Sequence, residues 1–111
     1  MSDHAGEQPR LSIVIPAWNE EARLAESLEK IAAFAATQDY PLEVVVVDNN
    51  STDRTHAIAA SFVDRYDYMR VLFEETQGKG AAIRTGMLQA RGAYRFICDA
   101  DLSMPIEEVN K

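Results

Sequence analysis

The chain has 111 residues, a formal net charge of −7 and a single cysteine. A chain of this length has room for one domain, and its acidic balance without any Lys/Arg run argues against a nucleic acid partner, whose phosphates require a basic surface. One cysteine excludes an internal disulfide, and no apolar stretch approaches the ~20 residues of a membrane-spanning helix, so we expect a soluble, cytoplasmic protein.

The first elements follow a polar amino terminus. Residues 1–10 lack the apolar core of a secretory signal, and we expect them to form a disordered lead. The β-branched run at 11–15 predicts a first strand that Pro16 ends. Asn19 is an acceptable N-cap for a helix after that strand. The predicted apolar stripe of this helix is Leu24, Leu28, Ile31 and Ala35.

A second strand and helix follow. Residues 42–47 form an apolar run interrupted only by Glu43, which is typical of a strand covered on both faces. A polar turn comes next, and Ser51 or Thr52 is expected to cap the second helix. The predicted inner stripe of that helix is Thr55, Ile58, Ala59 and Phe62.

A third strand is predicted at residues 69–73, and a third helix is expected to open at the Gly-Lys-Gly of residues 78–80. Gly86 should allow that helix to pack closely on its neighbour. The predicted stripe facing the core is Ile83, Met87 and Ala90.

The fourth strand is predicted at residues 94–98, and Cys98 within it is expected to be a buried, inert thiol. Residues 105–111 resemble the opening of a further helix. Four strands alternating with three helices, joined by right-handed crossovers, predict an α/β fold: a Rossmann-like parallel sheet with flanking helices on both faces.

Two carboxylates, Asp99 and Asp101, directly follow the fourth predicted strand. Parallel α/β sheets form their ligand crevices at the carboxyl ends of strands. Carboxylate oxygens suit Mg²⁺ or Mn²⁺, which bind phosphate oxygens at the same time. Such a spacing also occurs by chance in many loops, and its significance comes from the loops that precede it.

Three further loops should lie at the same edge of the sheet, at residues 16–20, 48–51 and 77–80. In the first, Trp18 offers an aromatic wall for a base, or alternatively fills the core. Glu20 can accept hydrogen bonds from ribose hydroxyls, or merely begin a helix. The absence of glycine from this loop argues against a dehydrogenase-like dinucleotide fold.

The second and third loops carry Asp48, Asn49 and Lys79. Asp48 and Asn49 can accept hydrogen bonds from a base edge, or form an ordinary Asx turn. Lys79, at a helix start between glycines, can approach a diphosphate, although a solvated lysine is an equal alternative. This glycine loop lacks both the Walker pattern and a full dinucleotide fingerprint.

Four ordered motifs lie at residues 13–21, 45–55, 78–86 and 99–103. Together they resemble the amino-terminal half of an inverting family 2 glycosyltransferase with the GT-A fold. The chain is most similar to the branch with dolichyl-phosphate glucosyltransferases and polyprenyl-phosphate mannosyltransferases. The resemblance runs from Leu11 to the end, so residues 11–111 are expected to form the nucleotide-sugar-binding part of a truncated GT-A domain.

The chemistry of the loops and the resemblance together define the candidate site. The candidate nucleotide-binding residues are Pro16, Ala17, Trp18, Glu20, Val47, Asp48, Asn49, Lys79, Asp99, Ala100 and Asp101. The candidate metal ligands for Mg²⁺ or Mn²⁺ are Asp99, Asp101 and Ser103. By resemblance, Ser103 matches a position that can be Gln and a second protein ligand in mannosyltransferase relatives, and its hydroxyl is a shorter and poorer ligand. The catalytic base is expected beyond Lys111.

The resemblance implies transfer of a sugar from UDP-glucose or GDP-mannose to polyprenyl or dolichyl phosphate. Asn49 stands where the family often has Asp, and its amide favours UDP over GDP. We expect little or no turnover from these 111 residues alone. The alternatives are a nucleotide-binding module without chemistry and a homo-oligomeric remnant lacking the acceptor half. The expected location is the cytoplasm, or the cytoplasmic face of a membrane.

Overall fold

The computed structural model describes residues 8–101 of the chain. Strands and helices alternate along this segment as β1 (Leu11–Ala17), α1 (Leu24–Ala36), β2 (Leu42–Asp48), α2 (Thr55–Arg65), β3 (Met69–Phe73), α3 (Lys79–Gln89) and β4 (Tyr94–Ile97). The predicted alternation is confirmed. The lead over residues 1–7, the expected helix at 105–111 and Ser103 lie outside the described residues. Across residues 8–101, the helices all fall short of the length and apolarity needed to cross a membrane.

The strands form one parallel sheet in the order β3-β2-β1-β4. Ile13 in β1 pairs with Val44 of β2 on one side and with Phe96 of β4 on the other. The chain therefore moves outwards from β1 to β3, and then crosses back to the far side of β1. This reversal creates a switch point at the carboxyl ends of β1 and β4, where open α/β sheets form ligand crevices.

The sheet lies between two helical layers. Alternate residues of a strand face opposite sides, so Val44 and Val46 of β2 pack with α1 and α2, whereas Val45 and Val47 pack with Ala82 of α3. Glu43 interrupts the buried β2 sequence and is itself buried near the amino end of the strand. The predicted three-layer arrangement is confirmed.

The face of α3 that meets the sheet differs from the prediction. Ala82 and Gly86 are buried there, whereas Ile83 and Met87 are only half-buried. A Cβ atom on Gly86 would collide with the side chain of Val14. Because α3 lies so close to β1, the contact accepts only small residues. The predicted close packing at Gly86 is confirmed.

Pro16 was expected to end β1, and the structure shows that this prediction is wrong. The strand continues to Ala17, with Pro16 opposite Val47 of β2. The Val14 carbonyl accepts from the Cys98 N–H on the β4 side, so the backbone of Pro16, two residues on, faces the same side. The β1–β4 ladder ends at Val14, and the missing N–H of proline therefore costs no ladder bond.

The predicted N-cap at Asn19 is also wrong. Asn19 adopts a left-handed φ of 49°, and α1 begins only at Leu24. Its side-chain Oδ1 accepts from the Thr52 N–H at 2.8 Å, and its own N–H donates to the Ser51 hydroxyl at 3.0 Å. Asn19 thus joins the loop after β1 to the loop after β2.

The start of α2 shows the other half of this arrangement. Ser51 and Thr52, the predicted caps, are bonded to the loop after β1, and α2 begins at Thr55. The Asp53 carboxylate accepts from the Thr55 N–H at 2.9 Å, the contact of an Asx turn that leads into the helix. The predicted caps are therefore wrong, whereas the predicted inner stripe, with Thr55, Ala59 and Phe62 buried, is confirmed.

Candidate functional site

A cavity of about 460 Å³ opens at the carboxyl ends of the strands, within the usual range for small-molecule sites. Its lining residues are Pro16, Ala17, Trp18, Glu20, Asn49, Gln77, Gly78, Lys79, Ala82, Asp99, Ala100 and Asp101. The predicted convergence of four loops at one edge is confirmed as far as Asp101. Of the candidate nucleotide-binding residues, Val47 and Asp48 alone are not in the lining.

Val47 and Asp48 lie behind the cavity. Val47 is fully buried beneath α3. The Asp48 carboxylate is also buried, where it accepts from the Ser51 N–H at 3.1 Å and lies 3.2 Å from Nδ1 of His56. The two residues support the loops that line the cavity, and a contact between either of them and a nucleotide stays a prediction.

Trp18 presents its indole at the rim of the cavity. The residue is 54% exposed, so the alternative in which it fills the core is wrong. The preceding residue, Ala17, is buried at the end of β1 and holds the chain against the sheet. An exposed aromatic face beside a cavity is suited to stacking with a flat ring.

Glu20 borders the same part of the cavity. Its Oε1 accepts from an Arg23 guanidinium N–H at 2.8 Å, and its backbone N–H donates to the Thr55 hydroxyl at 2.7 Å. These contacts hold the residue from both its side chain and its backbone. A carboxylate has lone pairs beyond the one that Arg23 uses, and it can accept hydrogen bonds from the hydroxyls of a bound sugar.

The Asn49 amide bonds to backbone groups of the loop between β3 and α3. Its Nδ2 donates to the carbonyls of Glu74 at 2.9 Å and Thr76 at 2.8 Å, and its Oδ1 accepts from the Gly78 N–H at 2.8 Å. Both amide protons are committed. The expected preference for UDP requires an amide proton that Asn49 can donate to uracil, and both of its amide protons already donate to backbone carbonyls.

Lys79 and Asp99 form an ion pair at 2.7 Å across the cavity. Their side chains are 62% and 48% exposed. The hydrogen bond to Asp99, followed by the charges of Asp99 and Asp101, raises the pKa of Lys79. Exposed pairs of this kind contribute about 0–1 kcal/mol, so a competing cation or anion can separate them.

The carboxylates at the end of β4 are compatible with a divalent cation. Asp99 already holds an ammonium group, and carboxylate oxygens are ligands that Mg²⁺ and Mn²⁺ prefer. Within residues 8–101, His, Cys, Asp and Glu side chains do not form a metal-binding group of three or more. Asp99 and Asp101 would therefore supply part of a coordination shell, with phosphate oxygens as further ligands.

Cys98 lies directly before these carboxylates and is buried. Burial, followed by the charges of Asp99 and Asp101, raises the pKa of its thiol to about 11. The thiolate is the nucleophilic form, so this side chain is unreactive near neutral pH. The predicted burial of this thiol is confirmed.

Sequence reasoning missed Ser27, which supports the site from α1. Its buried hydroxyl donates to the Ala100 carbonyl between the two carboxylates. The contact joins residues 73 positions apart, and a lone serine in a helix carries no signal of it. Gln77 and Gly78 were expected only as parts of a loop. Gly78 has a φ of +130°, which glycine adopts far more readily than other residues. The glycine itself was therefore the signal in the sequence that could have indicated this conformation.

The family is shown by a match over most of the chain. Residues 12–111 match the family model for Glycosyl transferase family 2. The chain belongs to this family, and the predicted resemblance is confirmed.

A curated relative supports the predicted branch. The chain is 38% identical over 109 residues to a dolichyl-phosphate beta-glucosyltransferase from Drosophila melanogaster, a match that covers 91% of this chain and 33% of the relative. The chain therefore spans about a third of the length of the curated relatives it matches.

Two solved structures share the fold. S. aureus TarS in complex with UDP-GlcNAc has a TM-score of 0.72 and 32% identity, over 83% of this chain and 26% of that chain. The mannosyltransferase PcManGT from Pyrobaculum calidifontis, in complex with GDP-Man and Mn²⁺, has a TM-score of 0.72 and 34% identity, over 86% of this chain and 28% of that chain. The described fold is therefore part of a GT-A domain.

Proposed function

We propose that this chain is the donor-binding half of a glycosyltransferase, and that its cavity binds the nucleoside diphosphate part of a nucleotide sugar. The observation that carries the proposal is the convergence of four loops on one cavity, which bring together an aromatic face, a lysine and carboxylates. Each of these groups matches one part of such a donor. The solved structures with UDP-GlcNAc and with GDP-Man support this ligand class.

In the proposed complex, the base stacks on Trp18 and the ribose hydroxyls donate to Glu20. Both residues line the cavity on the loop after β1. Asn19 of the same loop bonds to the loop after β2 and so holds the two loops together. Asp99 and Asp101 lie on the β4 side, where they would hold Mg²⁺ or Mn²⁺ together with the diphosphate. The bound metal would stabilise the negative charge that develops on the departing diphosphate.

Lys79 is the second cation of the proposed site. Its ammonium group lies against Asp99, at the start of α3. A metal that binds Asp99 would compete with this ion pair and leave the lysine available for a phosphate oxygen. The amino terminus of α3 favours an anion at the same place, because its first backbone N–H groups have no partners within the helix.

We further propose that the donor is UDP-glucose or GDP-mannose and that the acceptor is polyprenyl or dolichyl phosphate. The name of the Drosophila melanogaster relative, a dolichyl-phosphate beta-glucosyltransferase, supports this acceptor class. A polyprenyl acceptor resides in a membrane, so we place the intact protein at the cytoplasmic face of one. The PcManGT complex with Mn²⁺ supports a divalent metal ion as cofactor.

Calorimetric titration with UDP and with GDP, each with and without Mn²⁺, tests the donor site. We expect binding of at least one nucleotide that depends on Mn²⁺ and weakens by more than about tenfold in Asp101→Ala. Asp64→Ala, which removes an exposed carboxylate on α2, is the matched control and should bind as the wild type does. A folded wild type that binds neither nucleotide, or an Asp101→Ala variant that binds equally well, would overturn the proposal.

A further inference from the structure

We infer that Asn49 is a positioning residue, which fixes the loop at residues 74–78 and through it Lys79, and that it does not read the nucleotide base. This inference rests on the proposed donor site, and it assigns a role to one residue of that site. Asn49 lies directly after β2, and its side chain crosses to the loop between β3 and α3.

The hydrogen bonds of Asn49 account for the conformation of this loop. The loop leaves the sheet after the Glu74 N–H, which donates to the Asp48 carbonyl, and α3 begins with the Ala82 N–H donating to the Gly78 carbonyl. Between these two points, the Asn49 amide bonds the carbonyls of Glu74 and Thr76. The residue is only 3% exposed, so these bonds exclude water from the polar groups they join.

The bond to Gly78 connects Asn49 with Lys79. The Asn49 Oδ1 atom accepts from the Gly78 N–H. Gly78 has a φ of +130°, a backbone conformation that residues other than glycine rarely adopt. This residue sets the direction in which α3 starts, and Lys79 is the first residue of the helix. Asn49 therefore determines where the lysine stem begins, and its ammonium group reaches Asp99 at 2.7 Å.

An aspartate at this position would separate positioning from base recognition. In Asn49→Asp, one carboxylate oxygen can still accept from the Gly78 N–H. The other oxygen would replace the amide nitrogen and face the carbonyls of Glu74 and Thr76, to which it cannot donate. A base-reading role predicts that the added acceptor strengthens contact with the imide proton of a base, whereas positioning predicts weaker diphosphate binding.

Asn50 supplies the matched control on the same loop. Its Nδ2 donates to the Glu75 carbonyl at 2.8 Å and the Glu74 carbonyl at 3.3 Å, and it does not bond to Gly78. Asn50 has a φ of 64°, which glycine adopts without strain. Asn50→Gly therefore removes a neighbouring amide while it leaves the Gly78 bond in place.

The first test needs no ligand and measures backbone amide hydrogen exchange in the full chain by NMR. Asn49→Ala should speed exchange at Gly78 by about tenfold, the loss expected for one buried hydrogen bond, while Val45 in β2 is unchanged. Asn50→Gly should leave Gly78 unchanged. If Asn49→Ala does not fold, exchange is measured in Asn49→Asp instead. Gly78 should stay protected in that variant, because a carboxylate oxygen can still accept from its N–H. Unchanged Gly78 exchange in Asn49→Ala, or unprotected Gly78 in Asn49→Asp, would overturn the inference.

The second test compares UDP with uridine in the presence of Mn²⁺. Asn49→Ala should weaken UDP binding by about tenfold and leave uridine binding unchanged. Asn49→Asp, which keeps the Gly78 bond and loses the bonds to Glu74 and Thr76, should also leave uridine binding unchanged and weaken UDP binding by less. In a Lys79→Met background, Asn49→Ala should have no further effect on UDP, because the lysine that it positions is absent.

Two results of the second test would overturn the inference: an equal loss of uridine and UDP binding, or an Asn49→Ala effect that persists in Lys79→Met. A wild-type chain that binds no UDP would defeat the proposed donor site instead. In that case, the exchange rate at Gly78 still decides whether Asn49 positions the loop.

Discussion

Glu43 and Asp99 are carboxylates near opposite ends of the same sheet, and their surroundings differ. Glu43, near the amino end of β2, is 3% exposed and accepts from the Ser12 hydroxyl at 2.6 Å, the Arg91 N–H at 2.6 Å and the Arg70 guanidinium at 3.2 Å. Asp99, at the carboxyl end of β4, is half-exposed and pairs with Lys79. The first carboxylate is enclosed by partners from three other segments of the fold.

The difference lies in which partners can be exchanged. Burial alone would raise the pKa of Glu43, but the bonds from Ser12 and the Arg91 backbone, with the charge of Arg70, lower the pKa overall. A ligand that bound Glu43 would have to break several buried bonds, which is costly. Asp99 can exchange an exposed ammonium for a metal ion at little cost. The ease of exchange distinguishes a binding carboxylate from a structural one.

The largest expected effect concerns stability. Glu43→Ala should lower the free energy of unfolding by about 3 kcal/mol, because it leaves the buried groups of Ser12 and Arg91 without their partner and breaks the ion pair with Arg70. Asp99→Ala should change it by less than about 1 kcal/mol, because its ion pair is exposed. Urea unfolding followed by circular dichroism measures both, and equal losses would contradict the comparison.

A smaller effect concerns Mn²⁺ binding at Asp99, at the carboxyl end of β4, where the Lys79 ammonium now lies. Lys79→Met should tighten Mn²⁺ binding in the absence of nucleotide by about threefold, because it removes the ammonium that competes for Asp99. Free Mn²⁺ can be measured by electron paramagnetic resonance. Lys30→Met, which removes a lysine paired with Glu26 on α1, is the control and should bind Mn²⁺ as the wild type does. Weaker Mn²⁺ binding by Lys79→Met would show that the lysine does not occupy the cation position.

The smallest effect is the pH dependence of stability. The pKa of Glu43 in the folded protein lies below the ordinary value of a glutamate, because burial, which would raise it, is outweighed by the hydrogen bonds from Ser12 and Arg91 and the charge of Arg70. Its ionisation therefore stabilises the fold above pH 4.5, and this contribution is lost as the pH falls through the lower, folded-state pKa. Glu43→Gln lacks the contribution, so its free energy of unfolding should fall less than that of the wild type between pH 7 and pH 3 in urea unfolding. Parallel losses in the two proteins would contradict this assignment.

The errors at the helix starts show where local patterns stop being sufficient. Asn19, Ser51 and Thr52 are all good capping residues, and propensity assigns each to the helix that follows it. In the structure they bond to one another across the two loops, over 32 and 33 residues. The competition between a local cap and a distant partner is decided by how close β1 and β2 bring their loops. That distance is a property of the folded sheet.

The sequence by itself determined the alternation of strands and helices, the edge at which the four loops meet, the close contact at Gly86 and the family. These follow from hydrophobic periodicity, from the parallel connection of strands and from motifs that occur in a specific order. The tertiary structure decided that Asn49 bonds to the loop before α3 and that Lys79 pairs with Asp99. Such contacts join groups 29 and 20 residues apart, and only the packing of the strands determines which of these groups come within hydrogen-bond distance.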